Sequence, residues 1–506
     1  SSHQDHPFMA LKTKGADDDH GEVYAMNFVY SGNFKAMVQN DQFDQLRMIM
    51  GIHPEDFSWK LNPGEAFQTP EAVVVFSDKG LNGMSQTFHK LYQKRLARGY
   101  WRDRPRPILN NNWEATYFEF NTEKLIAIAK QASELGIEML VMDDGWFGDR
   151  FDDNRALGDW VVNEEKLPGG LKYLVDEVNK LGMKFGIWFE PEMISPDSNL
   201  YREHPDWAIA IPGRVGTRSR NQYVLDLSRR EVLEHTYESV ARILRSAHIE
   251  YVKWDMNRSV CDVYSHVAAQ NRNGELYHRY VLGVYDLLER FLAACPDLLL
   301  EGCSGGGGRY DAGMMYYSPQ IWCSDNTDAI NRLSIQYGSS FFYPISTVGS
   351  HVSVCPNHQT GRVTPFRTRG DVALAGSFGY EMDLNKISEE EKEMVKEQVA
   401  AMHEYYELTH EGLYYRLTGL KKQDFMAWEF VAKDQSRALL TIVKTDAEGN
   451  MLPVHTKVCG LAEDKLYRCS LDQEVRLGRT WNRAGLTLHQ VLEEYESIRV
   501  EFTEVK

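Results

Sequence analysis

Apolar residues along this chain fall into three successive textures. Up to about residue 85, runs such as Val23 to Tyr30 and Ala72 to Phe76 are separated by turn clusters, Ser31-Gly32-Asn33 and Asn62-Pro63-Gly64. That spacing predicts β-strands. Residues 84–99 then carry the periodicity of an amphipathic helix. From about residue 105, short fully apolar runs alternate with helical stretches. The pattern predicts strands at Ile108 to Trp113, Met139 to Asp143, Lys184 to Phe189, Tyr251 to Asp255, Leu298 to Cys303, Ile321 to Ser324, Ile345 to Val348 and Asp371 to Phe378. Helices are predicted over Thr122 to Leu135, stopped by Gly136, over Leu171 to Leu181, stopped by Gly182, and over Arg230 to Ala247 and Tyr277 to Ala294. Another opens at Ser388 with an acidic first turn, which suits the helix dipole and needs no functional reading. Past Leu417 the strand pattern returns, with Phe425 to Ala432 and Ala438 to Lys444 reading as a hairpin.

Apolar strands alternating with helices imply a parallel sheet, and eight such units predict an α/β fold, the (β/α)8 TIM barrel. A doubly wound open sheet is the alternative, weakened because no Gly-x-Gly-x-x-Gly follows an early strand. The expected organisation is a β region over 1–85, a linking helix over 86–104, the barrel over 105–417, and a C-terminal antiparallel β domain over 418–506.

In such a barrel the reactive groups sit at the C-terminal ends of the strands. Here those ends are dense in acids and aromatics: Asn110-Asn111-Asn112-Trp113, Asp143-Asp144-Gly145-Trp146, Trp188-Phe189-Glu190-Pro191-Glu192, Lys253-Trp254-Asp255, Glu301-Gly302-Cys303-Ser304 before four glycines, and Trp322-Cys323-Ser324-Asp325. Glycoside hydrolysis needs two carboxyl groups across the scissile bond. Asp255 and Asp325 are the candidate pair. Lys253, two residues before Asp255, shares its strand face and could hold that carboxylate ionised. Asp143 and Asp144 suit hydrogen bonds from sugar hydroxyls, and Trp113, Trp188 and Trp322 supply apolar walls. Blander readings stand beside each. A strand-end Asp is often a helix cap or a turn acid, and Asp325 or Asp328 could cap the next helix. Gly305 to Gly308 could be an anion nest or a flexible turn. His351, Cys355 and His358 do not make a familiar metal-ligand spacing.

Composition narrows the field. A formal net charge of −17 disfavours a nucleic-acid binder. Aromatics at 12 %, including 11 Trp and 26 Tyr, suit either sugar stacking or a large core. Seven irregularly spaced Cys without a Cys-x-x-Cys pair point to a reducing compartment rather than a disulfide framework. No apolar run is long enough to span a membrane. A cytoplasmic location follows as the expectation, with an upstream targeting segment left open.

Together, Asp143-Asp144-Gly145-Trp146-Phe147, Trp188-Phe189-Glu190-Pro191-Glu192-Met193, Lys253-Trp254-Asp255-Met256-Asn257-Arg258, Cys303-Ser304-Gly305-Gly306-Gly307-Gly308-Arg309 and Trp322-Cys323-Ser324-Asp325-Asn326-Thr327-Asp328 resemble glycoside hydrolase family 36, the bacterial α-galactosidases. The resemblance spans essentially the whole chain, with residues 1–85 matching the end of the family's N-terminal β-sandwich and 418–506 its C-terminal β domain. It implies a retaining exo-glycosidase acting on α-galactosides such as melibiose and raffinose. An α-N-acetylgalactosaminidase or a transglycosylase are the alternatives. Asp255 matches the nucleophile and Asp325 the acid/base. Asp143 and Asp144 match the binders of the 4- and 6-hydroxyls, and Lys253 matches a binder of ring hydroxyls. Cys303 and Gly305 match the wall at the 2-position. Trp113, Trp188 and Trp322 match the aromatic lining. The family uses no metal or nicotinamide cofactor. The resemblance further implies an oligosaccharide substrate and a homo-oligomer.

Overall fold

The computed structural model describes the chain apart from residues 1, 268–269, 420–423, 448, 451 and 506. At its centre eight parallel strands close on themselves: β1 (Leu109–Asn111), β2 (Met139–Met142), β3 (Lys184–Phe189), β4 (Tyr251–Trp254), β5 (Leu299–Gly302), β6 (Gln320–Trp322), β7 (Val348–Ser353) and β8 (Ser377–Glu381). Each pairs with its sequence neighbour, and β8 returns to β1 through Gly379 opposite Leu109. Closure removes the open-sheet alternative. Nearly every barrel-strand residue is buried, as expected where side chains fill the interior and helices cover the outside.

Two strands differ from expectation. Ile345–Thr347 forms a 3-10 turn after Pro344, and β7 begins only at Val348. Phe366–Ala373 is helical after Pro365, so Asp371 lies on a helix and β8 starts at Ser377. Each proline is the N-cap, with an extended ψ near +140°, so the helical turn opens on the residue after it. Asp371 accepts from Ser497 Oγ at 2.6 Å and pairs with Arg499 at 2.9 Å, so its role is to dock the C-terminal domain.

Helix caps fix the alternation. The helix Thr122–Glu134 is capped by Asn121, whose side chain accepts from the Lys124 N–H. Gly136, at φ +84°, then takes the left-handed turn that ends it. The helix Glu389–Glu411 opens on a reciprocal Ser388–Glu391 capping box.

On the N-terminal side, Phe8–Lys12, Val23–Val29 and Glu71–Ser77 form a three-stranded antiparallel sheet, and Phe34–Asn40 pairs with Leu46–Ile52 as a hairpin. The linking helix covers Gly80–Leu91 and ends in a π turn at Tyr92–Leu96. The C-terminal side carries a six-stranded antiparallel sheet that starts at Leu413–Arg416 and ends at Ser497–Glu504 in sequence. The Asn82 side chain stitches the two flanks together: its amide donates to the Arg416 carbonyl and accepts from the Arg416 N–H, both at 3.1 Å. Among the described residues, no helix is long and apolar enough to cross a membrane.

Leu140 is fully buried in β2 between its partners Asn110 and Phe185. Leu140→Ala is expected to cost about 2–5 kcal/mol, read as a lowered thermal midpoint; an unchanged midpoint would contradict this packing.

Candidate active site

The site is built on the glycine run after β5. Ser304 has φ +79°, and Gly305, Gly306 and Gly307 follow at +59°, +74° and +89°. Four successive residues take positive φ, a conformation glycine adopts readily, and the first two of them turn their N–H groups inward. The run is thus an anion nest, and the anion is the protein's own. Asp255, the first residue past β4, places Oδ1 where it accepts from Ser304 N at 2.9 Å, Gly305 N at 3.0 Å and Met256 N at 2.8 Å. Its Oδ2 accepts from Asn257 Nδ2 at 2.8 Å and Trp188 Nε1 at 3.2 Å. Burial pushes this carboxyl up, but the Lys253 ammonium, the Gly305 N–H, the Asn257 amide and the Cys303 thiol outweigh it. The net effect holds Asp255 below the usual carboxylate range, and hence ionised.

Asp325 lies on the far side of the same glycines. A Cβ at Gly306 would stand 2.0 Å from the Asp325 backbone N, and one at Gly307 would stand 2.3 Å from the Cys323 carbonyl oxygen. Only glycines let the two loops close together. Asp325 Oδ1 accepts from Trp322 Nε1 at 3.0 Å. The residue keeps a face open to solvent, although protein surrounds its carboxyl on most sides. Desolvation and then the negative charge of Asp255 push its pKa up, against Lys253 and the Trp322 indole. Two carboxyls at one barrel mouth are therefore set in opposite directions. The loop carrying Asp325 is clamped by Arg332, which donates to the Asn326, Ser324 and Gly349 carbonyls and lies over the Trp322 ring at 4.4 Å. The helix that follows is capped by Asp328, not by Asp325.

Asp143 and Asp144 part company. Asp143 Oδ2 accepts from Lys253 Nζ at 2.9 Å and Asn111 Nδ2 at 2.7 Å. Burial disfavours the Lys253 charge, yet Asp143 and further anions hold its pKa well above the ordinary value. Lys253 is thus a fixed cation in front of Asp255 and stands 5.7 Å from the Trp322 ring centre. Asp144 instead takes a fork from Arg150, Nε to Oδ1 at 3.0 Å and Nη2 to Oδ2 at 2.8 Å. Its pKa is raised by burial, which that pairing only partly offsets.

The structure brings Asp143, Trp188, Lys253, Asp255, Cys303, Gly305, Trp322 and Asp325 into one cluster, with Asp144 at its edge. Trp188 and Trp322 are each only 2 % exposed and present their N–H groups to the two carboxyls. Trp113 is half-buried and is tied to the cluster through its backbone N–H, which donates to Asn111 Oδ1 at 2.7 Å. His351 and His358 each meet a carboxylate, Glu381 and Glu114, at 3.2 Å. Among the described residues, no group of three or more His, Cys, Asp or Glu could hold a metal ion, and all seven Cys are free.

Several contributors went unassigned in the sequence. Arg150, Asn111 and Asn257 each ligate an acid of the cluster, and Arg309 forks onto buried Glu192 beneath it at 2.6 and 3.0 Å. Asn257 and Arg309 lay inside the quoted motifs without a role. Nothing local marks Arg150, whose partner is set by the fold of its loop.

Comparison with known proteins agrees with this architecture. The Melibiase family profile matches residues 66–412, and the glycosyl hydrolase family 36 N- and C-terminal domain profiles match 1–62 and 425–502. The chain is 54 % identical over 467 residues to alpha-galactosidase AgaA of Geobacillus stearothermophilus, covering 92 % of this chain and 64 % of that protein. It is 50 % identical over 506 residues to the bifunctional alpha-galactosidase/sucrose kinase AgaSK of Mediterraneibacter gnavus, covering 100 % of this chain and 53 % of that protein. The chain thus spans between about half and two thirds of the length of these relatives. The crystal structure of AgaA superposes with a TM-score of 0.98 at 51 % identity over 100 % of this chain and 70 % of the other. Variants of AgaA have been crystallised in complex with raffinose and with stachyose.

Gly306→Ala tests the shared glycine wedge. The new Cβ must displace the Asp325 backbone, and a strained left-handed position alone costs about 1–3 kcal/mol. A lower thermal midpoint and a shifted Asp325 in a crystal structure are expected; an isomorphous variant of unchanged midpoint would contradict the geometry.

Proposed function

The chain belongs to glycosyl hydrolase family 36, and on that premise we propose that it is a retaining exo-α-galactosidase. It removes terminal α-D-galactose from melibiose and raffinose-type oligosaccharides. The observation that carries the reading is the opposed setting of Asp255 and Asp325, one carboxyl held ionised and the other pushed toward protonation. Double displacement requires that division of labour.

In the first step Asp255 attacks the anomeric carbon and forms a glycosyl ester. The bond from that carbon to the leaving oxygen breaks, and Asp325 gives its proton to the departing oxygen. In the second step Asp325 takes a proton from water. The water oxygen bonds to the anomeric carbon, the ester bond breaks, and Asp255 is released as carboxylate. Two inversions give net retention.

The fixed Lys253 cation neutralises part of the charge facing Asp255 and supplies donors to ring hydroxyls. Asp143 and Asp144 retain acceptor capacity for the 4- and 6-hydroxyls, because each carboxylate can accept about four hydrogen bonds. The bulk of buried Cys303 with its tight glycine loop leaves little room at the 2-position, which favours a hydroxyl over an acetamido group. The raffinose and stachyose complexes of the AgaA variants support the oligosaccharide class.

The deciding experiment is proton NMR of the protein acting on p-nitrophenyl α-galactoside. α-Galactose is expected before mutarotation. β-Galactose first would overturn retention, and cleavage of only the N-acetylgalactosaminide would overturn the sugar assignment. Plots of kcat/KM against pH should form a bell. Activity needs ionised Asp255 and protonated Asp325, so it falls as pH drops through the depressed pKa of the first and as pH rises through the elevated pKa of the second. Asp325→Ala should remove this alkaline limb and slow melibiose far more than an activated aryl galactoside, whose leaving group needs no proton. Equal losses on both substrates would contradict the acid role.

A further inference from the structure

Behind Asp255 lies another carboxylate, Glu190, in the turn after β3 and fully buried. Its Oε1 accepts from Gln222 Nε2 and from the Asn257 backbone N, both at 2.5 Å. Its Oε2 accepts from Asn257 Nδ2 at 3.0 Å, and the same Nδ2 donates to Asp255 Oδ2 at 2.8 Å. The Asn257 oxygen accepts from Arg220 Nη1 at 2.8 Å. An amide with two carboxylates on its nitrogen side and a guanidinium on its oxygen side has one workable orientation. Flipped, its oxygen would face two acceptors and its nitrogen a donor.

We propose that Glu190 is a positioning residue of the reaction: by fixing the Asn257 amide, it holds an N–H donor on Oδ2 of the nucleophile. The inference rests on Asp255 being that nucleophile. Glu190 is fully buried, and its hydrogen bonds run to Asn257 and Gln222 rather than to the open mouth where a leaving group would sit. Its surroundings also set its charge. Burial and the charge of Asp255 push it up to about 8, against the Asn257 donors and the Arg150 guanidinium. Tyr280 also faces it. Both oxygens accept from N–H donors, so an amide in place of the carboxyl turns its nitrogen against a donor in either orientation and disturbs Asn257. Asp255 itself is faced by Lys253 on its own strand, by Asp144 past β2, Glu190 past β3, Cys303 past β5 and Asp325 past β6. Of these neighbours, only Glu190 controls one of its donors through a third residue. Losing that donor weakens the ionised form of Asp255.

The test uses the full chain and an activated aryl α-galactoside, for which the acid limb of kcat/KM reports the nucleophile. Glu190→Gln and Asn257→Ala should each move that limb up by about one pH unit, the order of effect of a single charge-assisted hydrogen bond. Asn257 is only partly buried, so its variant folds even where Glu190→Gln accumulates poorly. Because Glu190 acts through Asn257, the double variant should lose no more than Asn257→Ala alone. Acid limbs that superimpose on the parent overturn the proposal, as do losses that multiply in the double variant. A parent chain inactive on aryl α-galactoside would instead remove the α-galactosidase reading, an outcome separate from an unmoved limb in an active parent.

Discussion

The site depends on three backbone N–H groups meeting one carboxylate oxygen. Met256, Ser304 and Gly305 converge on Asp255 Oδ1, the first from the residue that follows the aspartate and the other two because the chain after β5 runs left-handed from Ser304 into the glycines. A nest of this kind binds whatever anion is nearest. By filling it with its own side chain, the protein fixes that carboxylate before any ligand arrives. The same glycines are flat enough for the Asp325 loop to lie against them, so one segment sets the place of both acids.

Charge follows from that arrangement. The barrel mouth gathers acids from several strand ends, which would repel one another if left alone. Each is paired differently: Asp143 with Lys253, Asp144 with Arg150, Glu192 with Arg309. The cations are themselves buried and so stay where the strands put them. Among the described residues Asp325 has no direct ion pair; Lys253 acts on it only at longer range, and its carboxyl accepts from the Trp322 indole N–H. That difference in partners, rather than any difference between two aspartates as residues, separates their protonation.

Much of this was legible in the chain. The alternation of apolar runs and helical stretches carried the barrel, and the strand-end motifs carried Asp255, Asp325, Lys253 and Asp143. Local pattern failed where tertiary contacts decide. Asp371 looked like part of a strand and instead sits on a helix facing Ser497 and Arg499 of the distant C-terminal sheet. Trp188 and Trp322 read in the chain as aromatic walls, and the pattern does not show that the fold also turns their N–H edges to the two carboxyls. Arg150 and Asn257 carry no signature of their own, because what matters is which carboxylate the fold sets beside them. The glycine run was ambiguous between nest and hinge, since sequence does not say what a nest will hold.

Asn82 belongs to the helix entering the barrel, and Arg416 to the strand leaving it, yet one side-chain amide satisfies both backbone groups of Arg416. Entrance and exit of the barrel are thereby fastened by the same pair of atoms. The same seam carries Gln86 Nε2 to the Tyr414 carbonyl at 3.1 Å and Arg416 Nη2 to Ser85 Oγ at 3.0 Å, so load on either flank is shared across several contacts well removed from the chemistry.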